Sequence, residues 1–188
     1  MDFIETVLIK NSEIQNLKYH QNRINKTAKH FKWKKIPELK NIDLKKDARV
    51  RITYSSSGIK NIEYFPLIKR NFKKFKLINI SFEYAFKYKN RKIFENIKKS
   101  FTGFDEFILI KNNLITDTTI SNLAFFDGKE WYTPKHPLFY GTKREELLDK
   151  GFLKEENIHK YDLPYFKKIA MLNAILGFYE IKDFDIII

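Results

Sequence analysis

Residues 115–134 read ITDTTISNLAFFDGKEWYTP. One aspartate, Asp117, stands among three threonines just ahead of an apolar run, and Asp127–Gly128 then marks a turn before Trp-Tyr-Thr-Pro. An Asp-Gly pair between two short apolar stretches is a hairpin signal, so NLAFFDGKEWYTP (122–134) reads as a strand pair around that turn. Asp117 then lies at the entrance to buried structure, where a carboxylate becomes partly desolvated and hydrogen-bonded. A plain turn aspartate is the competing reading.

Working upstream, DEFILIKNN (105–113) and LITDTT (114–119) predict two strands joined by an asparagine turn, with Asp105 and Glu106 as a solvated strand start. NRKIFENIKKSF (90–101) reads as a helix with Ile93, Ile97 and Phe101 on one side. FKLINISFEYAF (75–86) reads as one strand running directly into KYKNR. ARVRITY (48–54) and IKNIEYF (59–65) flank SSSG as a hairpin, with Gly58 at the permissive turn position and Pro66 closing the second strand. A short piece begins at Ile36–Pro37. LKYHQNRINKTAKHFKW (17–33) predicts a helix with Leu17, Ile24, Ala28 and Phe31 as its apolar stripe and His20, Arg23 and Thr27 on a neighbouring face. FIETVLI (3–9) is a strand, followed by a turn at KNSE.

Downstream, GTKREELLDKG (141–151) is a helix ended by Gly151. Tyr161 and Asp162 form a surface turn before Pro164, and KIAMLNAILGFYEI (168–181) reads as a buried strand bent at Gly177, with a helix over its first half as the alternative. Strands and helices interleave with hairpins in both halves, which argues for an α+β or mixed α/β protein.

Composition removes several classes of function. The chain has no cysteine, so disulfides, thiolate zinc sites and cysteine nucleophiles are out together. His20, His30, His136 and His159 show no metal-ligand spacing, so no metal is expected. There is no glycine-rich phosphate loop and no nucleophile elbow, and SSSG is turn chemistry. The net charge of +13 would suit a nucleic-acid binder. Its cations, however, are spread from Lys10 to Lys182 without a recognition motif, so they read as solvated surface. No apolar run reaches membrane-spanning length, and the N-terminus lacks a basic segment followed by an apolar one, so a cytoplasmic protein is expected.

Three features stand apart. Lys87 follows FEYAF, where an apolar setting would penalise its ammonium form and free a nucleophilic amine. Asp117 is the second. The third is YGTKREELL, where a glycine and a threonine open a helix and present backbone N–H groups to a phosphate. Each also has an ordinary reading: a snorkelling lysine, a turn aspartate and a helix cap.

Taken together and in this order, these stretches resemble the class IV aminotransferase family, the pyridoxal-phosphate enzymes of fold type IV. That family includes branched-chain and D-amino-acid aminotransferases and 4-amino-4-deoxychorismate lyase. FIETVLIKNSEIQNLKYHQNRI resembles the family's FET strand and HxxR helix, FKYKNR its Schiff-base lysine segment, and MLNAI its last cofactor loop. The series TDTTISNLAF, YTP, GTKR is the specific part.

The resemblance implies an α+β fold of two small lobes, 1–84 and 85–188, with the cofactor cleft between them as in D-amino-acid aminotransferases. It implies Lys87 as the Schiff-base and proton-shuttling lysine, chosen over Lys89 because it stands three residues before Asn90–Arg91. Asp117 would pair with the pyridine nitrogen and Arg23 would hold the phosphate. Thr142 and Lys143 would cradle that phosphate with their backbone N–H groups, Asn173 and Ala174 would close the cradle, and Asn122 would join the cofactor-binding set.

It further implies pyridoxal 5'-phosphate as cofactor, a small amino substrate, a homodimer and no nucleic-acid or membrane partner. There are departures. Family members begin with a further stretch before the FET strand. The pyridine partner is more often glutamate than aspartate. Aminotransferases carry Gly-Thr or Ser-Thr where this chain has Asn173–Ala174. Asparagine followed by a small residue is more like the lyase branch, which makes 4-aminobenzoate for folate synthesis by eliminating pyruvate. An aminotransferase of branched-chain or D-amino acids, or an inactive family member, is the alternative.

Overall fold

The computed structural model describes residues 1–39, 42 and 47–187. They form two compact units, Met1–Lys69 with Phe86–Asn90, and Arg70–Ala85 with Arg91–Ile188. A division at 84/85 cuts the chain once, whereas the chain passes between units at 69/70, 85/86 and 90/91. The reason is local: residues 87–89 are hydrogen-bonded to the first strand, through Lys87 O to Ile4 N–H and Lys89 N–H to Asp2 O.

Among the described residues the first unit is one antiparallel sheet with one α-helix on it. Strand β1 (Phe3–Lys10) turns through Asn11 and Ser12, both in the left-handed region (φ 53° and 59°), into β2 (Glu13–Ile14). Helix α1 (Leu17–His30) follows, then β3 (Ala48–Ser55) and β4 (Gly58–Phe65), giving the order β2-β1-β3-β4. Phe3, Val7 and Ile9 of β1 and Ala48, Val50, Ile52 and Tyr54 of β3 alternate onto one face and close against Ile24 and Ala28 of α1. Each such fully buried aliphatic or aromatic side chain contributes about 1.5–3 kcal/mol.

The expected stripe on α1 needs correcting. Leu17 is exposed, and the buried positions are His20, Ile24, Thr27 and Ala28. The helix is turned toward its polar residues because the facing strand carries an inward carboxylate, Glu5. The segment beginning at Ile36–Pro37 starts irregular, and its residues 40, 41 and 43–46 lie outside those described.

The second unit holds two sheets. Strands β5 (Lys74–Asn79), β6 (Glu106–Lys111) and β7 (Leu114–Thr118) join β13 (Asp185–Ile187) in the order β13-β5-β6-β7. Strands β8 (Asn122–Phe126), β9 (Trp131–Pro134), β10 (Leu153–Glu156), β11 (Lys168–Asn173) and β12 (Gly177–Glu180) take the order β10-β9-β8-β11-β12. Helices α2 (Lys92–Ser100) and α3 (Thr142–Asp149) and a 3-10 helix (Lys160–Tyr165) also belong to the unit.

Phe75, Ile108, Ile115, Leu123, Phe125, Ile169 and Met171 make the core shared by both sheets. Ala124, Ala170 and Leu172 pack on the other face with Leu147 of α3. Side chains alternate along a strand, so Asn122 shares the α3 face with Ala124. That places the functional candidate on β8 beside the start of α3.

Four expectations are revised here. The strand expected over 75–86 ends at Asn79, because Phe82 and Tyr84 leave the ladder to meet Phe94 edge-on at 5.8 and 4.8 Å. Helix α2 buries that same Phe94, while Ile93 and Phe101 are exposed. Glu106 is wholly buried rather than solvated, accepting Thr119 Oγ1–H at 2.5 Å and Thr119 N–H at 3.2 Å. Gly177 is the left-handed end (φ 68°) of a hairpin turn between β11 and β12, not a bend within one strand. The class itself, sheets with few helices, is α+β as expected. Among the described residues no helix is long and apolar enough to cross a membrane.

Candidate functional site

The candidate residues fall in both units. In the first, Arg23 on α1 is bound to Glu5 on β1: its Nε donates to Oε1 at 2.8 Å and its Nη2 to Oε2. His20, one turn earlier on α1, reaches the same carboxylate through Nδ1 at 2.6 Å. Glu5 and His20 are both wholly buried. Burial acts to raise the Glu5 pKa, but the Arg23 charge and the His20 and Arg23 hydrogen bonds outweigh it and hold the carboxyl at about 2. Burial pushes His20 down, against the pull of Glu5, and the Lys87 charge nearby pushes the same way. His20 is therefore neutral with its proton on Nδ1, and Nε2 is a buried acceptor with no partner among the described residues.

Lys87 itself is half-buried. Its backbone pairs antiparallel with the edge of β1 away from β3, Phe3 opposite Tyr88 and Ile4 opposite Lys87. Phe3 and Tyr88 share the core face, so the Lys87 side chain belongs to the opposite face with Ile4.

In the second unit Asp117, Asn122 and the start of α3 are one connected group. Asp117 Oδ1 accepts Asn122 Nδ2–H at 2.5 Å, and Oδ2 accepts the Phe139 N–H at 2.8 Å. Asn122 Nδ2 also donates to Phe139 O at 2.7 Å, and its Oδ1 accepts the Gly141 N–H at 3.0 Å. Both amide protons are thus committed. Burial drives the Asp117 pKa up to about 7, against the Asn122 and Phe139 hydrogen bonds and the field of Arg144.

Gly141 cannot carry a side chain: a Cβ there would lie 2.1 Å from Asn122 Oδ1. Helix α3 begins without a side-chain cap, so its first-turn N–H groups, those of buried Thr142 and half-buried Lys143, lack the usual acceptor. The Lys143 amine turns to Glu146 at 2.9 Å. Asn173 Oδ1 accepts the N–H groups of Ile175 and Leu176, and its Nδ2 donates to Ile120 O at 3.3 Å, tying the 174–176 turn to the segment between Asp117 and Asn122. Ala174 is half-buried in that turn.

The buried acid, the uncapped helix start and the small-residue turn all lie within the second unit. The model of amino-transferase class IV matches residues 91–184. The chain belongs to the amino-transferase class IV family. An uncharacterized protein of Haemophilus influenzae is 33% identical over 183 residues, which cover 92% of this chain and 97% of that one. The solved structure of a candidate 4-amino-4-deoxychorismate lyase from Haemophilus somnus is 27% identical with a TM-score of 0.83, covering 94% and 97% of the two chains. A hypothetical aminotransferase of Mycobacterium tuberculosis, solved in a PLP-bound form, shares the fold at 13% identity and a TM-score of 0.80, covering 98% of this chain and 81% of that one.

The class IV match covers Asp117, Asn122, Thr142, Lys143, Asn173 and Ala174, while Arg23 and Lys87 lie outside it. Sequence reasoning missed Glu5 and Arg144, and saw in Gly141 only a helix-opening N–H. Glu5 is the lone acid in an apolar strand at an inward position, which was its signal. Gly141 is required by the Asn122 contact. Arg144, 1% exposed, donates from Nη2 to Pro134 O at 2.9 Å and Glu155 at 2.5 Å.

The Glu5 carboxylate makes a first prediction. Its folded pKa lies below its unfolded value of 4.5, so its contribution to stability is present above pH 4.5 and is lost as pH falls toward 2. The shift corresponds to stability on the order of 3 kcal/mol. Urea denaturation at pH 7 should show Glu5→Gln weaker than wild type by that order, with the difference closing at pH 3 and below.

Proposed function

We propose that the chain is a pyridoxal-phosphate-dependent enzyme of the 4-amino-4-deoxychorismate lyase branch, which eliminates pyruvate and leaves 4-aminobenzoate. The observation that carries the reading is the buried Asp117 carboxyl, raised to about 7 and joined through Asn122 to an uncapped helix start. A buried acid that burial alone keeps half protonated is suited to a cationic partner, and a pyridine N–H is one. An uncapped α3 with Gly141 at its mouth suits the phosphate at the other end of such a ring. The residues present therefore fit the cofactor.

Pyridoxal phosphate, when bound, supplies an aldehyde that takes an amine covalently and a ring that withdraws electrons from the carbon beside that amine. Lys87 holds the cofactor and then moves the proton at the amine-bearing carbon of the substrate. Asp117 keeps the ring nitrogen protonated. Arg23, oriented by Glu5, contributes a permanent charge toward the phosphate. The N–H groups of Thr142 and Lys143 and the Asn173–Ala174 turn complete the phosphate contacts. Asn122 orients Asp117. The lyase branch is favoured by Asn173–Ala174 and by the name of the Haemophilus somnus relative. The reading carries with it a cytoplasmic homodimer serving folate biosynthesis, whose mass light scattering would report.

Protein purified after incubation with pyridoxal phosphate should show a visible absorption band. Borohydride should bleach it and fix the cofactor mass on the peptide containing Lys87. Mixed with 4-amino-4-deoxychorismate, the protein should release pyruvate and 4-aminobenzoate in equal amounts. No band, or a label fixed on Lys89, would reject the Lys87 assignment, and a band without pyruvate release would reject the lyase.

A further inference from the structure

The sheet face that carries Lys87 holds polar groups that the reading above does not use. By register, Lys87 lies opposite Ile4 on β1, Ile4 opposite Thr53 on β3, and Thr6 opposite Arg51. Side chains alternate, and Ile52 and Tyr54 point into the core under α1, so Arg49, Arg51 and Thr53 share the other face with Lys87.

On that face two buried polar atoms have no hydrogen-bond partner among the described residues: Nε of Arg51 and Oγ1 of Thr53, a residue 1% exposed. Glu63 stands opposite Arg51 on β4 and still leaves that Nε without an acceptor. The Phe65 ring lies 5.5 Å from the Arg51 guanidinium and 4.5 Å from that of Arg49, which holds both cations flat on the sheet. Buried donors left unpaired are costly, and such groups in native proteins call for an account. A guanidinium edge with a hydroxyl two residues along the same strand is a donor set for a carboxylate.

We propose that Arg51 and Thr53 form the subsite for a carboxylate of the amino substrate, one remote from the reacting amine. The inference rests on the lyase reading and deepens it. Two interstrand spacings separate the Lys87 and Thr53 backbones, roughly 10 Å. The lysine side chain spans part of that distance, and what remains suits a carboxylate set across a ring from the amine better than one on the amine-bearing carbon. 4-Amino-4-deoxychorismate and 4-aminobenzoate have that layout.

The test uses the cofactor-loaded protein and two probes, 4-aminobenzoate and its neutral isostere 4-aminobenzamide, with affinities measured by calorimetry. Wild type should prefer the acid by about tenfold or more, the worth of one charge-assisted hydrogen bond. Arg51→Met should bring the two within about twofold, Arg51→Lys should keep part of the preference, and Thr53→Val should lose roughly threefold of it. For the substrate itself, Arg51→Met should raise KM far more than it lowers kcat, which a general loss of structure would not do. An Arg51→Met protein with native circular dichroism and the full preference overturns the subsite, as does a wild type with no preference. Either result with the visible band intact leaves the enzyme reading standing. An absent band with the acid preference lost in Arg51→Met removes the enzyme and retains the anion site.

Discussion

Asp117→Asn is expected to lower pyruvate release by roughly a hundred- to a thousandfold, the usual scale for removing one preorganised electrostatic contact to the reacting system. Asparagine keeps the volume and one acceptor oxygen but cannot balance a positive ring nitrogen. It also turns an amide toward Asn122 Nδ2 or the Phe139 N–H, both donors already. The stability effect is separate and can be signed. The folded pKa of about 7 lies above the unfolded 3.8, so in that window the folded chain keeps a proton that the unfolded chain has lost. Stability of the cofactor-free protein therefore falls as pH rises through the window, by about 4 kcal/mol at most. The asparagine variant should lose that slope. Against this gain at pH 8 stands one hydrogen bond turned repulsive, about 1–3 kcal/mol. The two nearly cancel, so urea midpoints at pH 8 should lie close together while those at pH 5 favour wild type. Unchanged turnover in a folded Asp117→Asn protein would remove the carboxylate from the chemistry.

The hairpins were legible in the sequence because their signals are local. Asn112 and Asn113 occupy the left-handed region (φ 52° and 64°) that their two-residue turn demands, and Asp127–Gly128 does comparable work between β8 and β9. Burial of Asp117 was legible for a related reason, since an apolar strand follows it. What a chain cannot announce is which of two faces a neighbour will cover. Phe94 rather than Ile93 is buried on α2 because Phe82 and Tyr84 arrive from a broken strand ten residues upstream. His20 and Thr27 are buried on α1 because Glu5 faces them.

The candidate site divides along the same line. Lys87 was chosen by its place before Asn90–Arg91, a pattern in one dimension. Its neighbours on the sheet, Ile4 and Thr53, come from distant parts of the chain, and only the register of three strands sets them in a row. The early end of β5 at Asn79 matters here as well. A strand continued to Phe86 would keep residues 86–90 with the second unit, whereas its release lets them pair with β1. Composition was silent on Arg51, one of many cations in a basic chain. Its distinction is an orphaned nitrogen, visible only once the fold has removed the water around it.

Asn122→Asp is the second large effect expected, and it tests whether Asp117 and the α3 start act as one piece. The Asn122 amide spends one proton on Asp117 and one on Phe139 O, while its oxygen receives the Gly141 N–H. A carboxylate at 122 would lose both donors and set a second buried acid against the first at hydrogen-bonding distance. Two such acids can ionise only by sharing a proton, and leaving one uncompensated costs about 3–5 kcal/mol. Pyridoxal-phosphate affinity, measured by equilibrium dialysis, should fall by about a hundredfold or more at pH 8, with partial recovery toward pH 6 as the pair takes up a proton. Asn122→Ser, which adds no charge, should keep the fold and lose affinity without that pH dependence. Gly141→Ala strains the same joint from the helix side, because its methyl would press on the Asn122 oxygen at 2.1 Å. Its loss should be pH-independent too. If Asn122→Ser and Gly141→Ala both bind the cofactor as tightly as wild type, the helix start and the buried acid are independent, and Asn122 is no strut between them.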